Sequence, residues 1–228
     1  MMVSWRIGIG ADVVSATLEP ASSGASAPLL VLAHGAGGHM ADRGMLALSA
    51  TLAALDLNIV RFNFVYREKA SARPDPMPRL MECVAAVAAH AVAQVGSPTL
   101  LLGGRSMGGR AASMLVADGY NASGLMLYAY PLHPAGQTAK RRDAHLPRIA
   151  IPVLCVNGTR DTLCEQPLME ETLARLGSNW TMHWLEAADH SFHVTKASGR
   201  TDREVLEEVG TATADWLARV VNVVHKPS

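Results

Sequence analysis

The stretch Leu100-Leu-Leu-Gly-Gly-Arg-Ser-Met-Gly-Gly-Arg110 decides how the rest of the chain is read. The apolar run Pro98 to Leu102 predicts a buried strand. It runs into the turn Gly104-Arg-Ser-Met-Gly108, and Ala111 to Val116 then predicts a helix. A strand, a sharp turn and a helix, with serine at the centre of Gly-x-Ser-x-Gly, form an elbow that lifts a nucleophilic hydroxyl into solvent. The turn is so tight that strand and helix nearly touch, so the positions two before and two after Ser106 must lack a side chain. The serine backbone is held in a sparsely populated conformation. The positive end of the following helix points to where an oxyanion would form. The competing reading, an ordinary serine in a glycine-rich turn, does not account for the strand and helix that flank it.

Upstream, Leu29 to Ala33 is a continuous apolar run, as expected of a parallel strand covered on both faces. It ends at His34-Gly-Ala-Gly-Gly38, a loop able to present backbone N–H groups to an anion. A phosphate loop would need a following Lys-Ser/Thr, which is absent. Ala36, with Gly37 as the next choice, is expected to give one oxyanion N–H and Met107 the other; Gly35, Gly37, His39, Arg105 and Tyr66 are candidates to line the pocket. His34 reads as a side chain tying the loop down. Val3–Ile9 and Val13–Leu18 predict an antiparallel hairpin at a sheet edge, and Gly8-Ile-Gly10 lacks the third glycine of a dinucleotide site. Asp42 is placed to cap a helix carrying Met45, Leu48, Leu52 and Leu55. Leu57–Phe64 predicts a strand. Tyr66 to Pro78 predicts a loop bordering the site, and Leu80, Val84, Val87, Ala91 and Val95 a helix stopped by Gly96.

Downstream, Gly124–Tyr130 predicts a strand, and 131–147 an irregular segment shaping the site. Ile149–Val156 predicts another strand, Glu165–Leu176 a helix ended by Gly177, and Trp180–Leu185 the last strand. Thr201-Asp-Arg-Glu204 is a capping box opening a final helix with Val205, Val209, Ala212, Trp216 and Val220 inward. Strands alternating with helices from residue 29 onward predict an α/β fold. Its mostly parallel, doubly wound sheet is flanked by helices in one domain spanning 1–228, with no separate lid domain.

A serine hydroxyl needs a base to attack an ester, and the base needs an orienting acid. Asp161, in Asn157-Gly-Thr-Arg-Asp161, and His190, in Ala188-Asp-His-Ser-Phe192, each follow a later predicted strand, in the order serine, acid, histidine. All three loops belong at the carboxyl edge of the sheet, where such folds place ligands. Ser106 is therefore the expected nucleophile, His190 the base and Asp161 its orienter. Asp161 could instead cap the next helix. His193 competes with His190, but lies further from the strand end. Asp189, His190 and His193 do not form a convincing metal set, and no metal or cofactor is expected. Cys164 lacks an elbow and reads as packing. His39 is a candidate to line the pocket, whereas His90, His133, His145, His183 and His225 read as ordinary. Arg105 is expected to pair with a carboxylate beneath the sheet edge, or to meet an acidic substrate.

Twenty Lys plus Arg balance twenty Asp plus Glu, so nothing in the charge draws the chain to nucleic acid or an anionic membrane. Cys83, Cys155 and Cys164 cannot all pair, which fits a reducing compartment. Met1-Met-Val-Ser-Trp-Arg6 does not open a secretory signal, and no apolar run reaches membrane-spanning length. A cytoplasmic location and a small-molecule ester substrate are expected; the sequence leaves the oligomeric state open.

With His34-Gly-Ala-Gly-Gly38, Arg61-Phe-Asn-Phe64, Gly103-Gly-Arg-Ser-Met-Gly-Gly109, Asn157–Asp161 and Ala188–Phe192 in view, the chain resembles a family from about residue 29 to 220. This is the small α/β-hydrolases of the testis-expressed protein 30 type. These are similar to the hydrolase-like domain of KAT8 regulatory NSL complex subunit 3 and, distantly, to dienelactone hydrolases. The resemblance implies an α/β-hydrolase fold and carries little substrate information. Dienelactone hydrolases use a cysteine where this chain has Ser106, so lactone chemistry does not carry over. Three functions compete. The leading one is a serine hydrolase cleaving carboxylic esters or thioesters through an acyl-enzyme. Its main rival is a non-catalytic hydrolase-fold module within a protein complex, where loss of a triad residue is expected. The third, an acyl-aminoacid peptidase-like enzyme, would bring an extra domain.

Overall fold

The computed structural model describes residues 1–224, with side chains through residue 220. His225 lies outside the described residues. The apolar runs become an eight-stranded sheet: β1 Val3–Ile9, β2 Asp12–Glu19, β3 Leu29–Ala33, β4 Asn58–Phe62, β5 Leu100–Arg105, β6 Gly124–Tyr128, β7 Val153–Gly158 and β8 Trp180–Leu185. Their spatial order is β1-β2-β4-β3-β5-β6-β7-β8. The edge hairpin β1–β2 and the pair β2–β4 are antiparallel; every pair from β4 to β8 is parallel.

Among the described residues six helices flank the sheet: α1 Arg43–Ala53, α2 Val65–Glu68, α3 Met77–Val95, α4 Met107–Ala117, α5 Gln166–Leu173 and α6 Asp202–Val224. Strand residues alternate between two apolar layers. Leu29, Val31 and Ala33 join Val84, Val87 and Ala111 from α3 and α4 on one face; Leu30 and Leu32 join Leu48, Leu52, Val209 and Trp216 from α1 and α6 on the other. Both faces being covered explains why β3, β6 and the starts of β5 and β7 read as apolar runs, while β4 buries Asn58 and Arg61 among its apolar residues. The chain order reverses between β3 and β5, which creates a crevice at their carboxyl ends, the usual ligand position in an open α/β sheet.

Several element limits differ from the sequence reading, each for a local reason. Tyr66 lies in the short helix α2 rather than in a loop running to Pro78. Helix α3 begins at Met77 because Pro78 occupies its first turn, where a missing N–H costs nothing. Strand β7 begins at Val153, not Ile149: Leu146–Arg148 forms a 3-10 turn, and Asn179 Nδ2 donates to the carbonyls of Ile149 and Ile151. Helix α5 stops at Leu173, and the chain to Leu176 continues in tighter turns, Arg175 N–H to Thr172 O and Leu176 N–H to Leu173 O. On α6 the inward stripe runs through Thr213, while Ala212 is half-buried. Thr213 Oγ1 donates back to Val209 O at 2.7 Å and lies 3.1 Å from the Tyr128 hydroxyl, so its polar atom is satisfied inside the core.

The elbow is sterically closed. A methyl group on Gly108 would lie 2.5 Å from the Ala33 carbonyl oxygen and 2.6 Å from that of His34; one on Gly104 would lie 2.6 Å from the Gly108 backbone. All of these atoms are backbone and cannot rotate away. We predict that Gly108→Ala lowers the unfolding free energy by about 2–3 kcal/mol or more. Gly8→Ala, where a methyl group meets nothing within 4 Å, is predicted to leave the urea midpoint nearly unchanged.

Candidate active site

Ser106 sits between β5 and α4 with φ 52° and ψ −117°, a left-handed backbone that a non-glycine residue adopts only under constraint. Its amide donates to Tyr128 O at 2.9 Å and its carbonyl accepts from Arg110 N–H at 3.0 Å, so the strained residue is held from both sides. The loop after β3 touches it: a methyl group on Gly35 would meet Ser106 Cβ at 3.4 Å.

His190, Asp161 and Ser106 come together. His190 Nε2 lies 2.8 Å from Ser106 Oγ, and His190 Nδ1 lies 2.8 Å from Asp161 Oδ2. A carboxylate only accepts, so Nδ1 carries the proton and Nε2 is free to accept from the serine hydroxyl. The Asp161 side chain is fully buried, while that of His190 is 24% exposed, open enough to meet a substrate. Asp161 does not cap α5, whose N-cap position is Glu165; besides meeting His190, it closes a local turn in which Oδ1 accepts from Leu163 N–H at 2.8 Å. Both roles fit one carboxylate because its two oxygens face different partners.

Sequence reasoning missed Asn157 as a support. Buried at the end of β7, it donates from Nδ2 to Asp161 Oδ2 (3.2 Å) and to Tyr130 O (3.0 Å), and accepts from Tyr130 N–H at 3.0 Å. It opens the motif Asn157–Asp161, so the signal was visible, but its partner Tyr130 is distant in sequence. Gly158 admits the histidine loop: a methyl group there would lie 2.1 Å from Ala188 O.

A cavity of about 210 Å³ opens over Ser106, lined by Gly35, Ala36, Gly38, Asp42, Met45, Arg105, Ser106, His190 and Ser191. Ala36 and Met107 N–H take part in no turn or cap hydrogen bond among the described residues. Of the proposed pocket residues, Gly35 and Arg105 line this cavity, whereas Gly37, His39 and Tyr66 do not. Gly37 is a left-handed turn residue (φ 74°). His39 faces its own loop, with Nδ1 accepting from Ala41 N–H at 3.2 Å. Tyr66 is buried because it belongs to α2 and packs near His34 and Phe64; its hydroxyl has no hydrogen-bond partner among the described residues.

Four side chains hold the loop after β3. Asp42 caps α1 through Met45 N–H (2.8 Å) and accepts from His39 N–H (3.0 Å). Asn63 Oδ1 accepts from Met40 N–H at 2.9 Å, and Arg61, ion-paired to Glu19, donates to Met40 O. His34 is fully buried; its Nδ1 donates to Gly35 O at 2.8 Å and its Nε2 accepts from Phe64 N–H at 3.2 Å.

Arg105 departs from the expectation of a carboxylate partner. It makes no ion pair among the described residues, and its Nη2 donates to the backbone carbonyl of His190 at 3.1 Å. Burial pulls its pKa below the usual arginine range, against the pull of Asp42, Asp189 and Asp161. His193, the rival histidine, pairs instead with Asp202 (2.9 Å), which holds its pKa up. Among the described residues no group of three or more His, Cys, Asp or Glu side chains is arranged to hold a metal. The three cysteines are buried and free.

A family model described as an alpha/beta hydrolase domain matches residues 26–218. The chain belongs to that family. Solved α/β-hydrolase structures superpose over nearly the whole chain. Est1E from Butyrivibrio proteoclasticus, solved with ferulic acid bound, has a TM-score of 0.77 at 16% identity, covering 96% of this chain and 99% of that one. A serine hydrolase without a lid from Xanthomonas campestris gives 0.73 at 19%, covering 96% and 94%. The dienelactone hydrolase of Anabaena variabilis gives 0.74 at 15%, covering 96% and 97%. At these identities the likeness is one of α/β-hydrolase fold. No helix among the described residues is long and apolar enough to cross a membrane.

Two buried histidines of this hydrolase fold set a pH dependence of stability. Burial pulls His34 from 6.5 down to about 4, and burial, assisted by Arg110 and Arg148, does the same to His145, whose Nε2 lies 2.8 Å from Ser113 Oγ. Below pH 6.5 the unfolded chain binds protons that the folded one refuses, so stability is full above 6.5 and falls as pH drops toward 4. Each is expected to remove roughly 1–2 kcal/mol between pH 7 and pH 5. Urea melts at the two pH values check this, and His145→Gln is expected to flatten the difference.

Proposed function

We propose that this chain is a serine hydrolase that cleaves carboxylic esters, or thioesters, of small to medium soluble molecules through an acyl-enzyme. The observation that carries the reading is the continuous set of contacts from Asp161 through His190 to Ser106, each 2.8 Å long. In this reading Ser106 Oγ attacks the substrate carbonyl while His190 Nε2 takes its proton. The oxyanion forms against the N–H groups of Ala36 and Met107, each worth roughly 10²–10³ in rate. Collapse expels the alcohol or thiol, which receives the proton from His190. Water, deprotonated by the same imidazole, then attacks the acyl carbonyl and frees Ser106. Asp161 keeps the ring in one tautomer and stabilises the imidazolium.

The cavity supports a size preference. Its volume of about 210 Å³ lies below the roughly 300–1,000 Å³ that encloses drug-sized ligands, which favours short acyl groups over long lipid chains. The esterase and serine hydrolase neighbours support hydrolysis, and the three free cysteines agree with a cytoplasmic setting. For a purely binding module, the aligned histidine and the strained serine would have no use.

A panel of p-nitrophenyl esters of rising chain length, together with a fluorophosphonate probe, tests the proposal. Hydrolysis is expected to be fastest on short chains, and labelling to map to Ser106. Both should be lost in Ser106→Ala; preference for long chains, or no labelling of folded protein, would count against it. Asp161→Asn should keep the contact geometry but favour the wrong tautomer, lowering kcat by about 10³–10⁴ with little change in KM.

A further inference from the structure

Arg105 is unusual in its setting. It is a half-buried cation one residue before the nucleophile, it has no ion-pair partner among the described residues, and it lines the cavity over Ser106. Two features show that its place is built. First, Gly44, in the first turn of α1, leaves a slot for the guanidinium: a methyl group there would lie 2.6 Å from Arg105 Nη1. Second, the group spans to a loop 85 residues away and donates to one backbone atom, the carbonyl of His190.

That loop is tied on its far sides, by Ala187 N–H to Thr159 Oγ1 (2.9 Å), Arg160 N–H to Ala188 O (2.9 Å) and Val194 N–H to Asp202 Oδ1 (3.0 Å), none of which reaches the strand before Ser106. Within itself it is organised around Asp189, whose Oδ1 accepts from Ser191 and His193 N–H at 2.7 and 3.1 Å and whose amide donates to His193 O. It contains the left-handed residue Phe192, and Ala187 before it is left-handed too. These bonds shape the turn but do not set its distance from β5. The His190 carbonyl has Arg105 as its partner, so the strand that ends in the nucleophile also grips the backbone of the residue facing that nucleophile.

We propose that Arg105 is a positioning residue, a clamp that fixes the His190 loop against the end of β5 so that Nε2 stays in line with Ser106 Oγ. This inference rests on the serine hydrolase reading for its kinetic consequence but not for its structural one. The clamp acts through His190, so its loss misplaces the base without removing a substrate contact. A displacement of about 1 Å at a reacting group costs on the order of 10²-fold in rate. The charge adds to the hold, because a guanidinium donor bonds a carbonyl more strongly than a neutral one does.

The test uses the intact chain with Arg105→Met and Arg105→Lys. In Arg105→Met, kcat on a short p-nitrophenyl ester should fall 10- to 100-fold with KM within about twofold. Arg105→Lys, which keeps a cationic donor, should recover most of the loss. An independent readout is the low-field proton of His190 Nδ1 and the amide exchange of residues 188–194. In Arg105→Met the proton resonance should broaden or vanish and those amides should exchange faster, with amides of β3 and α3 unchanged. If wild-type protein hydrolyses no ester but the loop loosens in Arg105→Met, the hydrolase reading fails and the clamp stands. Unchanged kcat with an unchanged His190 proton and unchanged loop exchange would overturn the clamp. A rise in KM at constant kcat would overturn it in favour of a direct substrate contact.

Discussion

Between Gly104, Gly108 and the carbonyl of Ala33 there is no room for a methyl group. Because β5, α4 and β3 approach so closely, the chain at residue 106 has to reverse within a few atoms, and it does so through a left-handed serine backbone. Strain of that kind, on the order of 1–3 kcal/mol, persists only where the surroundings over-determine it. Here a layered core above and below the sheet supplies the constraint, and the result is a hydroxyl at the carboxyl edge near the amides of Ala36 and Met107, which make no turn or cap hydrogen bond among the described residues. Every other feature of the site is arranged around that fixed point.

The supports come from both sides of the central strands. On the β4 side, Arg61, Asn63 and His34 tie down the loop that carries Ala36; on the β6 and β7 side, Asn157 ties Asp161 to Tyr130. Arg105 bridges the middle, reaching from the elbow to the histidine loop. None of these side chains except Arg105 opens onto the cavity, yet each helps set where Ala36, Asp161 or His190 stands.

The parts of this arrangement legible in the sequence were those written in short, contiguous segments. The elbow needs its glycines within two residues of Ser106, and the acid and histidine sit in compact motifs at strand ends, so local pattern sufficed. The parallel sheet was legible because burial on both faces forces continuous apolar runs. What escaped depended on contacts distant in sequence. Arg105 was expected to find a carboxylate, but a glycine at 44 and a carbonyl at 190 gave it a different partner. The sequence around Tyr66 points to the rim of the site, yet a four-residue helix turns it inward. Thr213 was overlooked as a core residue because a hydroxyl that bonds back to its own helix looks polar in sequence and packs as an apolar group.

In the proposed reaction, Asp161 and His190 make the Ser106 hydroxyl one that can be acylated. The most direct measurement is peptide mass mapping after brief exposure of the folded protein to p-nitrophenyl acetate, with His190→Gln alongside. The account predicts one acetyl group on the peptide carrying Ser106 in the parent chain and none in the variant. An unmodified Ser106, or equal acetylation in the variant, would contradict it.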